Sequence, residues 1–357
     1  MKTLRLGIVG CGVMGDVYLK AASSLPSAEC IAVADSDEAQ ATTLASRYGV
    51  DTVYSDAEQL FADARVHAVI LAIPTRVRTN LALRALQAGK HVLLEKPVAL
   101  NAADVQTLIR ARGSLIAACC SSRLRLQRSA RAVAGVLASG AIGELRIIRS
   151  CWQFPVRPRP EKLPPKWRLS SAENGGGNMA NLGSYILDYL LGVLDWQLEP
   201  ELVFARTWGI PDILVDHVPE DSDGESLTSA MITFRSGPAL LLEQGESFIA
   251  KQADSIWKMI GTTGTLSFQI LPSTQRIVLE RYHADQVIEE TVWEGSETFP
   301  MAQEGLIDDF VQAVLTGRPP ATTLEQAYVV RELLDCIYAS THQGAAVPYT
   351  PLLAPGC

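Results

Sequence analysis

The stretch Leu4–Gly15 constrains this chain more than any other. Leu4 to Val9 is an apolar run with strand character. Gly10-Cys11-Gly12-Val13-Met14-Gly15 follows without a break, and a helical pattern occupies Val13 to Ser23. A glycine-x-glycine-x-x-glycine turn is a weak signal alone, but between a strand and a helix it gains meaning. Gly10 permits the tight turn, Gly12 lets the backbone approach a pyrophosphate, and Gly15 lets helix and strand pack closely. The helix N-terminus, opened by Val13 and Met14, adds a partial positive charge. A second strand, Cys30 to Ala34, ends in Asp35, roughly 20 residues past the last glycine, where a carboxylate accepts the ribose hydroxyls of NAD. A helix N-cap is the alternative role for Asp35. Ser36 and Asp37 follow it, and no arginine does. A 2′-phosphate would meet carboxylates there, so NAD is expected over NADP.

The pattern then continues as helix Glu38–Tyr48, a short segment Thr52–Tyr54, a helix near Ala57–Phe61 and strand His67–Ile73. That strand ends in Ile73-Pro74-Thr75, a third candidate cofactor contact, before helix Val77–Ala88. Gly89-Lys90-His91-Val92-Leu93-Leu94-Glu95-Lys96-Pro97 is a short buried strand closing on a charged pair and a proline. A lysine at the carboxyl end of such a strand sits where open α/β sheets bind ligands. A surface Lys-Pro turn is the plainer alternative. Lys96–Pro97 is a candidate cis peptide, since X-Pro bonds are the ones that adopt it. A helix at Ala102–Arg112 and a strand at Ser114–Cys119 complete six alternating units. The expected fold is α/β: an N-terminal Rossmann domain, doubly wound around a parallel sheet, over residues 1–123.

With 357 residues there is room for a second domain, expected at 124–357. Helix Ser129–Ser139 and strand Leu145–Phe154 lead into a proline- and arginine-rich loop to Pro165, a candidate lid or surface excursion. Segments 201–207, 226–234, 239–246, 255–260, 265–270 and 276–283 read as strands, and Gln303–Leu315 and Leu324–Thr341 as helices. This gives an α+β domain with a large, mainly antiparallel open sheet. Such a sheet, with one face bare, invites burial against another copy, so a homodimer or homotetramer is expected.

Between these, Asn174-Gly175-Gly176-Gly177-Asn178 precedes a helix to about Leu191, with Asn178 as its expected cap. Asn181, Tyr185 and Asp188 then project from one side. Asn181 does not titrate and suits a substrate hydrogen bond. Tyr185 is either a proton donor and acceptor or a core residue of the helix face.

A net charge of −8 excludes a general nucleic-acid binder. No apolar run reaches the ~18 residues a membrane helix needs. The seven cysteines show no ligand spacing, so no metal is expected, and reduced thiols and a cytoplasmic setting are. Met1 to Arg5 runs straight into a strand, so no signal peptide is expected.

Gly7–Gly15, Ala34-Asp35, Leu71–Thr75 and Gly89–Pro97 together resemble the glucose-fructose oxidoreductase/inositol dehydrogenase/rhizopine catabolism (Gfo/Idh/MocA) family. Trp167-Arg168 with Gly175-Gly176-Gly177 looks like its substrate-domain signature, and the resemblance covers nearly the whole chain. It implies a nicotinamide cofactor and oxidation or reduction of a carbinol or ketone of a sugar, cyclitol or related compound. Lys96 is implied as a catalytic or substrate-orienting residue, and Glu95 and Lys96 as cofactor contacts. The family's usual Asp and His on the substrate-domain helix are here Asn181 and Tyr185. A neighbouring ammonium favours phenolate, so Lys96 beside Tyr185 is the expected acid/base pair. Arg78 stands where the family often has histidine. With Arg76, Arg123 and Arg168 it suggests a basic site for an anionic substrate, unless these arginines pair with local carboxylates or cofactor phosphates. A non-catalytic NAD-bound sensor and a glycosidase using NAD transiently are the alternative functions.

Overall fold

The computed structural model describes residues 3–270 and 274–351. Two compact units emerge. The first runs to Leu126 and takes back Phe299–Tyr328. The second comprises Gln127–Thr298 and Val329–Pro351.

The first unit alternates β1 (Leu4–Val9), α1 (Val13–Ser23), β2 (Ala28–Ala34), α2 (Glu38–Tyr48), β3 (Thr52–Tyr54), α3 (Ala57–Ala62), β4 (Ala68–Leu71), α4 (Thr75–Gln87), β5 (His91–Leu94), α5 (Ala102–Arg112) and β6 (Ala117–Cys119). The six strands are parallel in the order β3-β2-β1-β4-β5-β6. The order reverses beside β1, so the β1 and β4 carboxyl ends flank the switch point where such sheets bind ligands. Strand interiors such as Ile70, Leu93 and Val33 are sealed from solvent, as a sheet covered on both faces requires.

The second unit carries α6 (Arg128–Ala138), β7 (Leu145–Pro155), α7 (Ser171–Asn174), α8 (Ser184–Gly192), β8 (Pro200–Trp208), β9 (Leu227–Phe234), β10 (Ala239–Phe248), β11 (Asp254–Gly261), β12 (Gly264–Phe268), β13 (Thr274–His283) and β14 (Gln286–Ser296). Helices α9 (Phe299–Thr316) and α10 (Leu324–Gln343) and the short β15 (Val347–Pro348) end the described chain. The nine strands lie in the order β14-β13-β12-β11-β7-β10-β9-β8-β15 and are antiparallel except for β10 on β7. One face is core: Val203, Ile232, Leu242, Ile148 and Met259 are buried. On the other, Phe204, Met231, Leu241 and Arg149 stand in one cross-strand row.

Two expectations change. A single domain cut at 123/124 is replaced by the interleaved units, because α9 joins the first unit's core. There Leu306, Ile307, Phe310 and Val311 pack with Leu6, Ile8, Tyr18 and Leu19. Strand β14 has no counterpart in the sequence reading, since its acidic, largely exposed run hides the alternation that marks a half-buried strand. Cys11, Cys30, Cys119, Cys120, Cys151 and Cys336 form no disulfide. Met1, Lys2 and Cys357 lie outside the described residues. No helix among the described residues is long and apolar enough to cross a membrane.

Candidate functional site

In the first unit the glycine turn divides its labour. Gly10 has φ +96°, and a Cβ there would lie 2.4 Å from the Ala72 carbonyl oxygen. A Cβ on Gly15 would lie 2.1 Å from the Gly10 carbonyl oxygen. Both positions are therefore dictated by the fold. Gly12 is not: a Cβ there meets nothing within 4 Å, and its backbone is extended at φ −76°. The space it leaves open lies at the N-cap of α1, where a side chain would obstruct an approaching pyrophosphate. As glycine it brings no side chain to satisfy the first-turn N–H groups, so an anion can do so. Val13, 82% exposed, and half-buried Met14 open the helix beside it.

Asp35 closes β2 at this edge. Its carboxylate accepts from the backbone N–H of Cys11 at 2.7 Å and of Asp37 at 2.9 Å. It is thus tied to the glycine turn, with lone pairs left for hydroxyl donors. The capping role alternative for Asp35 falls to Asp37, whose side chain accepts from the N–H groups of Ala39 and Gln40. Ser36 is exposed beside it. Ile73, Pro74 and Thr75 form the β4–α4 junction, with Pro74 at the N-cap. The residues present therefore fit an NAD: an uncluttered turn, a helix N-terminus and an anchored acidic group at the ribose position.

The end of β5 is held from beneath. Glu95 is buried, and its Oε1 accepts from Arg123 at 2.9 Å and from the Tyr18 hydroxyl. Its Oε2 accepts from the Lys96 N–H at 2.9 Å and from the Cys120 thiol at 3.2 Å. Arg123 also reaches the Tyr18 hydroxyl at 2.8 Å and lies over its ring. Burial opposes ionisation of Glu95, but the Arg123 and Lys96 charges, the Tyr18 hydroxyl and Arg78 prevail and hold it at about 2. Arg78, 2% exposed, donates to the carbonyls of Glu95 at 2.9 Å, Pro97 and Ile73. The Lys96–Pro97 peptide is cis.

Three sequence-derived assignments are corrected here. The Glu95 carboxylate is committed to internal donors and is not available to a cofactor. Arg78 and Arg123 are buried on carbonyls and on Glu95, so neither is presented to a substrate. With Arg168 paired to Glu246 at 3.3 Å, the basic cluster for an anionic substrate dissolves, and Arg76 is exposed on α4.

In the second unit Trp167 and Arg168 lie on a short 3₁₀ turn, Lys166–Leu169, and are partly exposed. The glycine triplet is packed hard. Gly176 has φ +140°, and a Cβ there would lie 1.9 Å from the Tyr338 hydroxyl oxygen. Buried Glu225 accepts from the N–H groups of Gly177 at 2.7 Å and Met179 at 2.6 Å, and from the Tyr338 hydroxyl at 3.0 Å. Burial pushes its carboxyl upward, against the pull of those donors. Glu225, rather than Asn178, is thus the cap. Asn178 is helical (φ −65°, ψ −40°) and makes no side-chain cap. The helix does not start as α-helix. Met179–Gly183 is a π-turn that passes into α8, so the simple i, i+4 spacing of Asn181 and Tyr185 does not carry through. Asn181 and Tyr185 are each 8% exposed and Asp188 is fully buried. Such π-turns recur at functional sites. Glu225 and Tyr338 gave no local signal in the sequence.

Residues 4–115 match the family described as "Oxidoreductase family, NAD-binding Rossmann fold", and residues 130–267 match the "GFO/IDH/MocA C-terminal domain". The chain belongs to the Gfo/Idh/MocA oxidoreductases. An oxidoreductase of Rhizobium meliloti is 28% identical over 354 residues, spanning 96% of this chain and 98% of its own. Myo-inositol 2-dehydrogenase of Thermotoga maritima is 23% identical, spanning 90% and 91%. A levoglucosan dehydrogenase structure, in complex with NADH and L-sorbose, superimposes with a TM-score of 0.86 at 19% identity, covering 99% of this chain and 100% of that one. This Gfo/Idh/MocA protein is accordingly an NAD-binding oxidoreductase, and the reading of its first unit as a Rossmann domain holds.

Proposed function

We propose that the protein is an NAD-dependent dehydrogenase or ketoreductase acting on a CH–OH group, or the matching ketone, of a sugar or cyclitol. The observation that carries the reading is Lys96, placed at the carboxyl end of β5 in a sheet whose β1 and β2 ends are built for NAD. When bound, NAD accepts or supplies the hydride. Asp35 holds the ribose hydroxyls, and the turn at Gly10, Gly12, Val13, Met14 and Gly15 takes the pyrophosphate. Lys96 polarises the substrate oxygen. Tyr185 moves the hydroxyl proton, and Asn181, Trp167 and Arg168 orient the sugar. The named activities of relatives, on myo-inositol and levoglucosan, support a polyhydroxylated neutral substrate.

The exposed row on the nine-stranded sheet supports a homo-oligomer, with a second copy covering that face. A cytoplasmic setting is consistent with the free thiols.

The test screens sugars, sugar acids and cyclitols for NAD-linked absorbance change at 340 nm. Lys96→Ala and Tyr185→Phe are each expected to lower turnover by ~10²–10⁴, the usual worth of a positioned acid or base. NADH binding should change little. A Tyr185→Phe variant with full activity removes the tyrosine from the reaction.

A further inference from the structure

The backbone on either side of Lys96 is gripped at three polar groups. Its own N–H donates to the Glu95 carboxylate at 2.9 Å. The carbonyl before it, on Glu95, accepts from Arg78 at 2.9 Å, and the carbonyl after it, on Pro97, accepts from the same guanidinium. The second Arg78 nitrogen reaches the Ile73 carbonyl at the end of the neighbouring strand β4. On the other side Glu95 is closed into a triangle with Tyr18 and Arg123. Tyr18 sits on α1, the helix that starts at the glycine turn.

A fold does not need this much buried charge to end a strand. Two guanidiniums and a carboxylate, each 6% exposed or less, carry desolvation costs that apolar side chains of the same volume would avoid. What the arrangement achieves is a fixed main chain at one residue. A reacting group held by its backbone has less freedom to lose, and small misplacements of such groups are costly.

Resting on the catalytic reading of Lys96 given above, we propose that Arg78, Glu95, Arg123 and Tyr18 are positioning residues, a clamp that sets the Lys96 backbone in register with the cofactor-binding turn. None of them touches the reacting atoms. Arg78 spans β4 and β5 and Tyr18 spans α1 and β5, so the clamp ties three elements of the cofactor half to one lysine. A single lysine at position 78 would keep the charge but lose the planar fork that serves three carbonyls.

The experiment is a double-mutant cycle on the full chain, joined to hydrogen–deuterium exchange of the NADH-loaded protein. Arg78→Lys should speed exchange in the segment around Lys96 by about tenfold or more, with β1 and β6 unchanged. With the best polyol of the screening panel it should lower kcat about tenfold or more while KM for NAD stays within about threefold. In a Lys96→Ala background the same change should cost less than about twofold, because the group it positions is gone. Unaltered exchange, or the full loss repeated in the Lys96→Ala background, overturns the clamp and leaves the catalytic reading standing. A fully active Lys96→Ala overturns that reading, and the clamp with it. If Arg78→Lys does not fold, Tyr18→Phe, which removes one hydroxyl from the triangle, is read by the same criteria.

Discussion

Replacing Glu95 with glutamine should change how the stability of the protein depends on pH. The Glu95 carboxyl moves from its ordinary 4.5 to about 2 on folding, because Arg123, Lys96, Tyr18 and Arg78 outweigh its burial. At about 1.4 kcal/mol for each pH unit, its ionised form contributes about 3 kcal/mol to the folded state. The folded value lies below the unfolded one, so this contribution is fully present above pH 4.5 and is lost as pH falls toward 2. Glutamine carries no charge at any pH and leaves Arg123 buried with a weaker partner. Urea midpoints for the native protein and Glu95→Gln, taken from pH 7 to pH 3, read the effect. The gap between them should stay level from pH 7 to about pH 5, then narrow by about 2 kcal/mol at pH 3. A gap of the same size at pH 7 and pH 3 would refute the assignment of the charge to Glu95.

Gly176→Ala should lower stability by about 3 kcal/mol, from a left-handed backbone and a methyl group 1.9 Å from the Tyr338 hydroxyl oxygen. A thermal midpoint within a degree of the native one would contradict this packing. Asp35→Asn should weaken NADH binding about 10- to 100-fold, the worth of a charge-assisted hydrogen bond, and narrow the preference for NADH over NADPH. Fluorescence titration with both nucleotides measures it, and an unchanged NADH affinity would dismiss Asp35 from the ribose site.

What could be read from the sequence was local. The glycine turn, the strand ends at Asp35 and Lys96, and the order of parallel units depend on neighbours within a few residues, and each is where the sequence reading put it. Burial of arginine is different. Arg78 and Arg123 were read as cleft residues because their segments end near the sheet's carboxyl edge. Whether a guanidinium turns outward or inward depends in large part on Glu95, whose carbonyl is 17 residues from Arg78 and whose carboxylate is 28 residues from Arg123. The cap on the Asn181–Tyr185 helix was missed for the same reason. Asn178 has the right side chain at the right place, yet Glu225, 48 residues beyond Gly177, takes the N–H groups. The π-turn left no trace either, since Met179–Gly183 has the composition of any buried helix start.

The return of α9 to the first unit bears on how this protein is made. Leu6, Ile8, Tyr18 and Leu19 are synthesised long before Leu306, Ile307, Phe310 and Val311, which are part of what covers them. Eight of the nine strands of the second sheet, β7 to β14, are translated in between. The cofactor half therefore cannot close its core until some 180 later residues have been synthesised, at ~5–20 residues per second a delay of about 10 to 40 seconds. During that interval its exposed apolar face is a natural client for a chaperone. A gene cut after residue 126 would make the same unfinished surface permanent.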